Sequence, residues 1–311
     1  MTRSAIPVVS YADLLGAPAV QQRAIATLGQ ALEEVGFLIL ECHPVAPEVV
    51  RRAYQVAGQF FALPSEAKAQ YALPQQRGKG GFSSFGSEQA KGHNIPDAKE
   101  FWHVNRHSLV DLEAAWPQEV PFFRPVMTRL YQQLMACADV LLEACAIYLG
   151  QPKDWLVAMA TEGNTVLRLA HYPVLEAGTL PGSLRAAPHE DINLITLLCE
   201  ATTPGLEIFT QGGQWLPIQV NLGQIVVDTG DMLQNLTNGL FKSTTHRVVN
   251  PRSGNQARLS MPFFVHPRQE VDLSPVASLV ERTGGSPQFQ AITAGEYLAQ
   301  RLREIQVEPA A

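Results

Sequence analysis

The chain has 311 residues, of which 46% are hydrophobic and 17% charged, and its formal net charge is −6 at pH 7. This composition is typical of a globular protein with one large domain or two ordinary ones, and it excludes a disordered chain. Because the charge is mildly acidic and no long basic block occurs, the sequence indicates neither nucleic-acid binding nor binding to an anionic membrane surface.

The N-terminal segment MTRSAIPVVSYADLL lacks the apolar core of a signal peptide. No apolar run approaches the ~18 residues that a membrane span requires. The cysteines are widely spaced, as is typical of reduced, buried thiols: Cys42, Cys137, Cys145 and Cys199. We therefore predict a cytoplasmic protein without a membrane segment, and nothing in the sequence indicates an obligate protein partner.

The N-terminal half is predicted to combine helices with a few strands. Residues 6–10 favour a short strand. After them, apolar residues three and four positions apart predict an amphipathic helix that ends at Gly36. Residues 37–40 favour a second strand. Helices are then indicated for residues 47–63, which begin at a proline, and for residues 124–150, whose apolar side chains follow one side.

Residues 76–98 differ from their neighbours, because glycine is dense there and apolar periodicity is absent. A loop of this length inside a compact domain is usually functional or mobile, and a plain surface excursion is the equal alternative. The apolar pattern resumes at residues 99–104, which favour a strand.

After residue 163 the pattern changes to short apolar runs separated by glycine, proline and asparagine. About eight strands are predicted, a number and spacing typical of a sandwich, jelly roll or barrel. These runs are 166–169, 194–198, 206–209, 215–218, 225–228, 232–235, 244–249 and 258–265. Helices that precede strands indicate an α+β chain with a mainly β core.

Two imidazoles and a carboxylate lie in this β-rich half. His189 and Asp191 are two residues apart, and alternate side chains of an extended chain point to the same side. His246 follows in another strand-like run. Two imidazoles and one carboxylate form the facial ligand set of non-haem Fe(II), which leaves coordination positions open for a cosubstrate and O2. Glu190 lies between the first two and is expected to point the other way.

Arg258 and Ser260 are also two residues apart, so a guanidinium and a hydroxyl share one face. A guanidinium is a permanently charged fork that suits a carboxylate. Taken alone, each pair is a weak signal, since most His-x-Asp pairs are surface or capping residues and a lone strand histidine is more often structural. In this order and on strand-like segments, the set is far more specific.

Ordered sequence motifs resemble the isopenicillin N synthase-like branch of the Fe(II)/2-oxoglutarate-dependent dioxygenases. In the β-rich half they are LRLAHYP (167–173), HEDINLITLL (189–198), GLEIF (205–209), GQWLPI (213–218), VVDTGDMLQNLTNG (226–239), STTHRVVNP (243–251) and ARLSMPFF (257–264). The N-terminal half contributes IPVVSYADL (6–14), LEEVGFLIL (32–40), FFALPSEAK (60–68) and PDAKEFWHV (96–104). The resemblance covers residues 6–268, nearly the whole chain.

This resemblance implies a double-stranded β-helix, which is a distorted jelly roll, with flanking helices. It implies a helix-rich N-terminal dioxygenase region at 1–160, an Fe(II)/2-oxoglutarate dioxygenase core at 161–268 and a C-terminal extension at 269–311 that packs on the core. It also implies that three side chains ligate the iron: His189, Asp191 and His246.

The resemblance further implies how 2-oxoglutarate is bound. Arg258 and Ser260 would bind its distal carboxylate, and Tyr172 matches the family tyrosine that supports the same carboxylate. Many plant relatives have asparagine at the position that is Ala170 here. Arg168 is therefore a candidate for the polar contacts at the keto-acid end, with a strand arginine that faces solvent as the alternative.

The implied reaction uses Fe(II), the cosubstrate 2-oxoglutarate and O2, and it releases succinate and CO2 while a small organic substrate is hydroxylated or desaturated. Residues 76–98 and 101–106 are candidates for shaping the substrate side. Individual candidates on that side are Arg168, Phe101 and Phe264.

Four alternatives stay open at this point. One is fragmentation of 2-oxoglutarate to ethylene, and another is an iron oxidase without 2-oxoglutarate, in which Arg258 and Ser260 hold a substrate carboxylate. A third is a non-catalytic jelly-roll protein that binds a metal or a small ligand. The fourth is a zinc hydrolase that uses Glu190 as its base.

Overall fold

A computed structural model of the chain describes residues 6–72, 80–91, 95–111, 115–174, 183–251 and 255–305. In these ranges the strands are β1 (Val8–Ser10), β2 (Phe37–Glu41), β3 (Gly81–Ser83), β4 (Glu100–Asn105), β5 (Val166–Tyr172), β6 (Ala186–His189), β7 (Ile195–Cys199), β8 (Leu206–Phe209), β9 (Trp215–Pro217), β10 (Ile225–Thr229), β11 (His246–Val248), β12 (Arg258–Ser260) and β13 (Pro262–Val265). The helices are α1 (Tyr11–Leu14), α2 (Pro18–Glu34), α3 (Pro47–Phe61), α4 (Ser65–Ala69), α5 (Arg106–Val110), α6 (Phe123–Tyr148), α7 (Trp155–Ala160), α8 (Asp231–Leu236), α9 (Ala277–Arg282) and α10 (Ala294–Ile305).

The strands form a major sheet and a minor sheet. In the major sheet the order is β1, β2, β10, β7, β13, β5, β4 and β3, and β12 also pairs with β5. Strands β6, β11, β8 and β9 form the minor sheet. The strands of the predicted N-terminal region therefore extend the same sheet as those of the predicted core, and the two regions share one β architecture.

One face of the major sheet packs against helices. Along β4, Trp102 and Val104 are buried on this face, and the Trp102 ring lies 5.0 Å from Phe60 of α3 and 5.4 Å from Phe123 of α6. Because neighbouring residues of a strand point to opposite sides, Phe101 and His103 face the other way. The helices thus fill one side of the sheet and leave the opposite side for polar groups.

Helix α6 is long and apolar enough to cross a bilayer by length and composition alone. More than half of its most apolar stretch is buried within the protein, where Leu130, Leu134 and Leu141 belong to the main hydrophobic core. A core helix of a globular protein meets the same criteria.

Most of the predicted helices and strands are present, and one prediction is wrong. Residues 232–235 were expected to form a strand, but they lie in helix α8, which Gly230 precedes in extended conformation. A short apolar run has the same pattern in a buried helix and a buried strand, and this one belongs to the helix.

The predicted glycine-rich loop contains a strand, β3, at Gly81–Ser83, which pairs with β4. Residues 76–79 and 92–94 of that loop, and residues 306–311 of the C-terminal extension, lie outside the described residues. The described part of the loop therefore contributes a strand to the major sheet.

A glycine in the middle of α2 is expected to be essential for packing. Gly29→Ala should lower the free energy of unfolding by about 2 kcal/mol, because overpacking of this kind typically costs 1–3 kcal/mol. An added Cβ would lie 2.1 Å from a Tyr148 ring atom of α6. The measurement is urea denaturation of the purified variant.

Gly58 in α3 is the matched control, because an added Cβ would meet only Leu259, at 3.8 Å. Gly58→Ala should stabilise the protein by about 0.5–1 kcal/mol, since alanine restricts the unfolded chain more than glycine does. Equal responses of the two variants would contradict the tight contact between α2 and α6.

Candidate active site

The structure brings the two predicted imidazoles and the predicted carboxylate together. His189 ends β6, His246 begins β11, and the two residues lie opposite each other in the minor sheet. Their ring centroids are 4.4 Å apart. Asp191 follows β6 by two residues. One potential ligand atom from each of the three side chains lies within 4.8 Å of the other two. The three groups can therefore reach one ion.

Backbone carbonyls orient both imidazoles. His189 Nδ1 lies 2.7 Å from the carbonyl oxygen of Ala187, and His246 Nδ1 lies 3.2 Å from that of Thr244. Because a carbonyl can only accept, each Nδ1 carries the proton and each Nε2 keeps a free lone pair. The Nε2 atoms are 3.9 Å and 3.6 Å from Asp191 Oδ1, which leaves a gap between the three donors.

Polar groups behind Asp191 fix its carboxylate. The Thr196 hydroxyl donates to Asp191 Oδ2, and the Asn193 amide donates to the Thr196 hydroxyl at 2.8 Å. Asp228 lies nearby on β10, and its burial, together with the charge of Asp191, raises the pKa of Asp228 well above its ordinary value. Burial and the Asp191 charge therefore both favour the protonated form of Asp228.

The electrostatics of the cluster suit metal binding. Burial first, and the neighbouring His246 second, lower the pKa of His189 to about 4. The imidazole is therefore neutral at pH 7, as a metal ligand must be. Two neutral imidazole nitrogens and one carboxylate oxygen fit Fe(II) with open coordination positions.

The residues predicted to bind 2-oxoglutarate lie together on β12 and β5. In the register of these strands Arg258 is opposite Tyr172, and Ser260 is opposite Ala170. Arg258 is 2% exposed, and its guanidinium lies 5.1 Å from the centre of the Tyr172 ring. Its Nε donates to the carbonyl of Thr203 at 3.1 Å, while its buried Nη1 has no partner. A carboxylate would satisfy that donor.

Arg168 lies on the same strand but is already engaged. Its Nη atoms each donate to a carboxylate oxygen of Glu88 at 2.9 Å, and its Nε donates to His103 Nε2 at 2.7 Å. The guanidinium lies 4.3 Å from the ring centre of Phe101 and 5.4 Å from that of Phe264. That Arg168 contacts the keto-acid end of 2-oxoglutarate stays a prediction.

A buried ionic cluster beside Arg168 was missed by the sequence analysis. Lys99 lies 3.2 Å from Glu88 and 2.9 Å from Asp97. Burial would lower the pKa of Lys99, but the charges of Asp97 and Glu88 outweigh it and raise the pKa. The alternation of Lys99, Phe101 and His103 could have indicated a common face. Glu88 lies in the aperiodic glycine-rich segment, which carried no such signal.

A cavity of about 1150 Å³ is lined by His189, Asp191 and the ionic cluster. Phe101, Phe264 and Arg168 also line it, as predicted for the substrate side. Further wall residues come from α10, including Leu298 and Leu302. His189 and Asp191 thus open onto a space large enough for a small organic molecule.

Two family descriptions match the chain. Residues 6–123 match the N-terminal domain of the non-haem dioxygenases of morphine synthesis, and residues 163–267 match the 2OG-Fe(II) oxygenase superfamily. Among curated relatives, proline hydroxylase buaE of Petromyces alliaceus is 29% identical over 94% of this chain and 97% of its own. The 2-oxoglutarate-dependent dioxygenase ecdK of Aspergillus rugulosus is 30% identical over 91% and 94%.

Solved structures have the same architecture. A 2OG-Fe(II) oxygenase family protein from Caulobacter crescentus is 38% identical, with a TM-score of 0.83 over 97% of this chain and 99% of that one. A full-length protein of Neurospora crassa in complex with alpha-KG has a TM-score of 0.86 over 97% and 98% at 24% identity, which bears on the fold alone. The predicted fold class, a double-stranded β-helix with flanking helices, is confirmed.

Proposed function

The chain belongs to the 2OG-Fe(II) oxygenase superfamily, and from this premise we propose that it hydroxylates or desaturates a small organic molecule bound in the cavity beside His189 and Asp191. The chain is an Fe(II)- and 2-oxoglutarate-dependent dioxygenase. The observation that carries the proposal is the cluster of two imidazoles and one carboxylate, of which His189 and Asp191 line this cavity.

Within the proposal, His189, Asp191 and His246 hold the iron. When bound, Fe(II) supplies open positions for 2-oxoglutarate and O2 and the electrons that activate O2. The carbonyls of Ala187 and Thr244 hold the proton of each ring on Nδ1, so both Nε2 lone pairs would be available to the metal.

The cosubstrate is proposed to bind through its distal carboxylate to Arg258 and Ser260, with Tyr172 as support. Arg258 offers a buried, unpaired N–H, and a charge-assisted bond is stronger where water is excluded. The ring of Tyr172 supports the guanidinium through a contact of 5.1 Å to the ring centre. The task of these three side chains is to orient the 2-oxo acid.

The cavity suits a substrate with both polar and apolar parts. Its lining combines charged residues, such as Glu88 and Arg168, with apolar ones, such as Phe101 and Leu298. Relatives carry the names proline hydroxylase and homoarginine-6-hydroxylase. These names support a small, polar substrate.

Several features stay predictions of the sequence. They are the cytoplasmic location, the lack of nucleic-acid, membrane and obligate protein partners, and the division at residues 160 and 268. The roles of Arg168, Phe101 and Phe264 toward the substrate are likewise predictions, supported by their places in the cavity wall.

Anaerobic titration tests the proposed function directly. The metal-free protein is given Fe(II) and then 2-oxoglutarate, and chelation of the iron by the 2-oxo acid produces a weak visible charge-transfer band. We expect the band to saturate near one equivalent of iron and to disappear on addition of a chelator. Candidate substrates are then screened for succinate release above the uncoupled rate, with ethylene measured in parallel.

The outcomes separate the alternatives. Iron binding without a band would favour the oxidase, in which Arg258 holds a substrate carboxylate. Ethylene in place of succinate would identify fragmentation of 2-oxoglutarate. Activity restored by Zn(II) and not by Fe(II) would overturn the proposal in favour of a hydrolase.

A further inference from the structure

A second arginine, Arg185, lies beside the predicted carboxylate site. It directly precedes β6, four residues before His189. Its backbone N–H donates to the Asn250 side chain at 3.0 Å, and its Nη2 donates to the carbonyl of Gln256. Because Gln256 is two residues before Arg258, the Arg185 guanidinium reaches the segment that leads into β12.

Arg185 and Arg258 are both fully buried and incompletely paired. Arg185 is 1% exposed and Arg258 is 2% exposed. The Nε of Arg185 and the Nη1 of Arg258 are buried without any hydrogen-bond partner. In the described part of the chain, no carboxylate forms an ion pair with either guanidinium. Buried donors of charged groups rarely stay unpaired, because each one forfeits its hydration.

The two guanidinium groups also act on each other. Burial first, and the charge of Arg258 second, lower the pKa of Arg185, while Tyr172 has the opposite effect. The groups that act on Arg185 are thus two of the residues predicted to hold the distal carboxylate. Two neighbouring buried cations repel unless an anion lies close to both.

We propose that Arg185 is a second binding residue for the distal carboxylate of 2-oxoglutarate, so that two guanidinium groups share this anion. The inference rests on the proposed function. A carboxylate has two oxygens with about four acceptor sites, so it can accept hydrogen bonds from a second guanidinium beside that of Arg258. Arg185 therefore makes the site selective for dicarboxylic 2-oxo acids over monocarboxylic ones.

The test compares two cosubstrates that differ only at the distal end. The charge-transfer titration is run with 2-oxoglutarate and with 2-oxopentanoate, whose terminal methyl replaces the carboxylate, on wild type, Arg185→Gln and Arg185→Lys. For Arg185→Gln we expect the dissociation constant of 2-oxoglutarate to rise by about 10- to 100-fold, the usual range for a lost charge-assisted hydrogen bond. That of 2-oxopentanoate should change by less than about 2-fold, since it has no charge to lose. Arg185→Lys should fall between, because the charge is kept and the fork is lost.

Thermal unfolding of the metal-free protein gives a readout that does not depend on the iron. We expect 2-oxoglutarate to raise the midpoint of the wild type more than that of Arg185→Gln, because the variant lacks one of the two cations. A purely structural Arg185 would instead lower the midpoint without ligand and weaken both acids equally, which would overturn the inference.

The remaining outcomes separate the inference from the proposed function. A wild type that gives no band with 2-oxoglutarate would overturn both together. A wild type that binds 2-oxoglutarate while both variants bind it equally well would overturn the role of Arg185 alone. If Arg185→Gln does not fold, the ratio of the two dissociation constants in Arg185→Lys decides, and an unchanged ratio counts against the inference.

Discussion

His189→Ala is expected to lower 2-oxoglutarate-dependent turnover by more than about 100-fold and to abolish retention of iron, because loss of a mere hydrogen-bond partner of a metal ligand already costs 10–100-fold. The imidazole is one of only three donors in the cluster found among the described residues. Asp191 and His246 then supply only two of the three ligands of the facial set, so the ion is bound more weakly. The measurements are iron content after anaerobic loading and desalting, and succinate release.

Two further variants serve as an intermediate case and as a control for this prediction. Thr196→Val removes the hydroxyl that donates to Asp191 Oδ2 and leaves all three ligands in place. We expect turnover to fall by about 10–100-fold, the usual effect of losing a hydrogen-bond partner of a metal ligand. His107→Ala changes an exposed histidine on α5 and should leave both readouts unchanged. Full iron retention by His189→Ala would contradict the assignment of the metal ligands.

Glu88→Gln is expected to lower the free energy of unfolding by about 3 kcal/mol, near the lower end of the 3–5 kcal/mol that follows when one member of a buried ion pair is removed. Glu88 accepts two bonds from Arg168 at 2.9 Å and lies 3.2 Å from Lys99. The variant leaves both cations buried with Asp97 as the remaining partner of Lys99. Urea denaturation at pH 7 measures the effect.

The pH dependence of this loss has a definite sign. Burial raises the pKa of Glu88, but the charges of Arg168 and Lys99 outweigh it and hold the pKa far below the ordinary value of 4.5. The unfolded chain therefore takes up a proton first as the pH falls, and the stabilisation present above pH 4.5 is lost below it. The difference between wild type and Glu88→Gln should shrink in the same range.

Two comparisons test whether the lost charge is the cause. The double variant Glu88→Met with Arg168→Met removes both partners and should be more stable than Glu88→Gln, because no arginine is left unpaired. Glu48→Gln disrupts an exposed pair with Arg51 at 3.7 Å and should leave the midpoint unchanged. Equal loss in the single and double variants would point to packing instead.

The candidate metal and cosubstrate residues could be proposed from the sequence because their signals are local. His189 and Asp191, like Arg258 and Ser260, are separated by two residues, and this spacing alone places each pair on one side of an extended chain. The antiparallel pairing of β6 with β11, which sets His246 opposite His189, follows from tertiary structure that the spacing does not encode.

The ionic cluster and Arg185 could not be predicted in the same way. Glu88 and Arg168 are 80 residues apart, and only the folded chain brings them together. Arg185 stands outside any motif, and its significance comes from burial and an unpaired Nε, which are properties of the folded state. Residues 232–235 were assigned to the wrong element because four residues are too few to distinguish the two periods.

Helix α10 has a consequence for how new substrate preferences could arise. It contributes Leu298, Leu302 and Arg301 to the cavity wall, and its last residue, Ile305, accepts a bond from the Gln89 backbone. The candidate iron ligands, by contrast, lie between residues 189 and 246. One part of the cavity wall is thus encoded in a different stretch of sequence from the candidate iron ligands. We therefore expect substitutions in α10 to alter which molecule the cavity accepts while the candidate iron ligands stay unchanged.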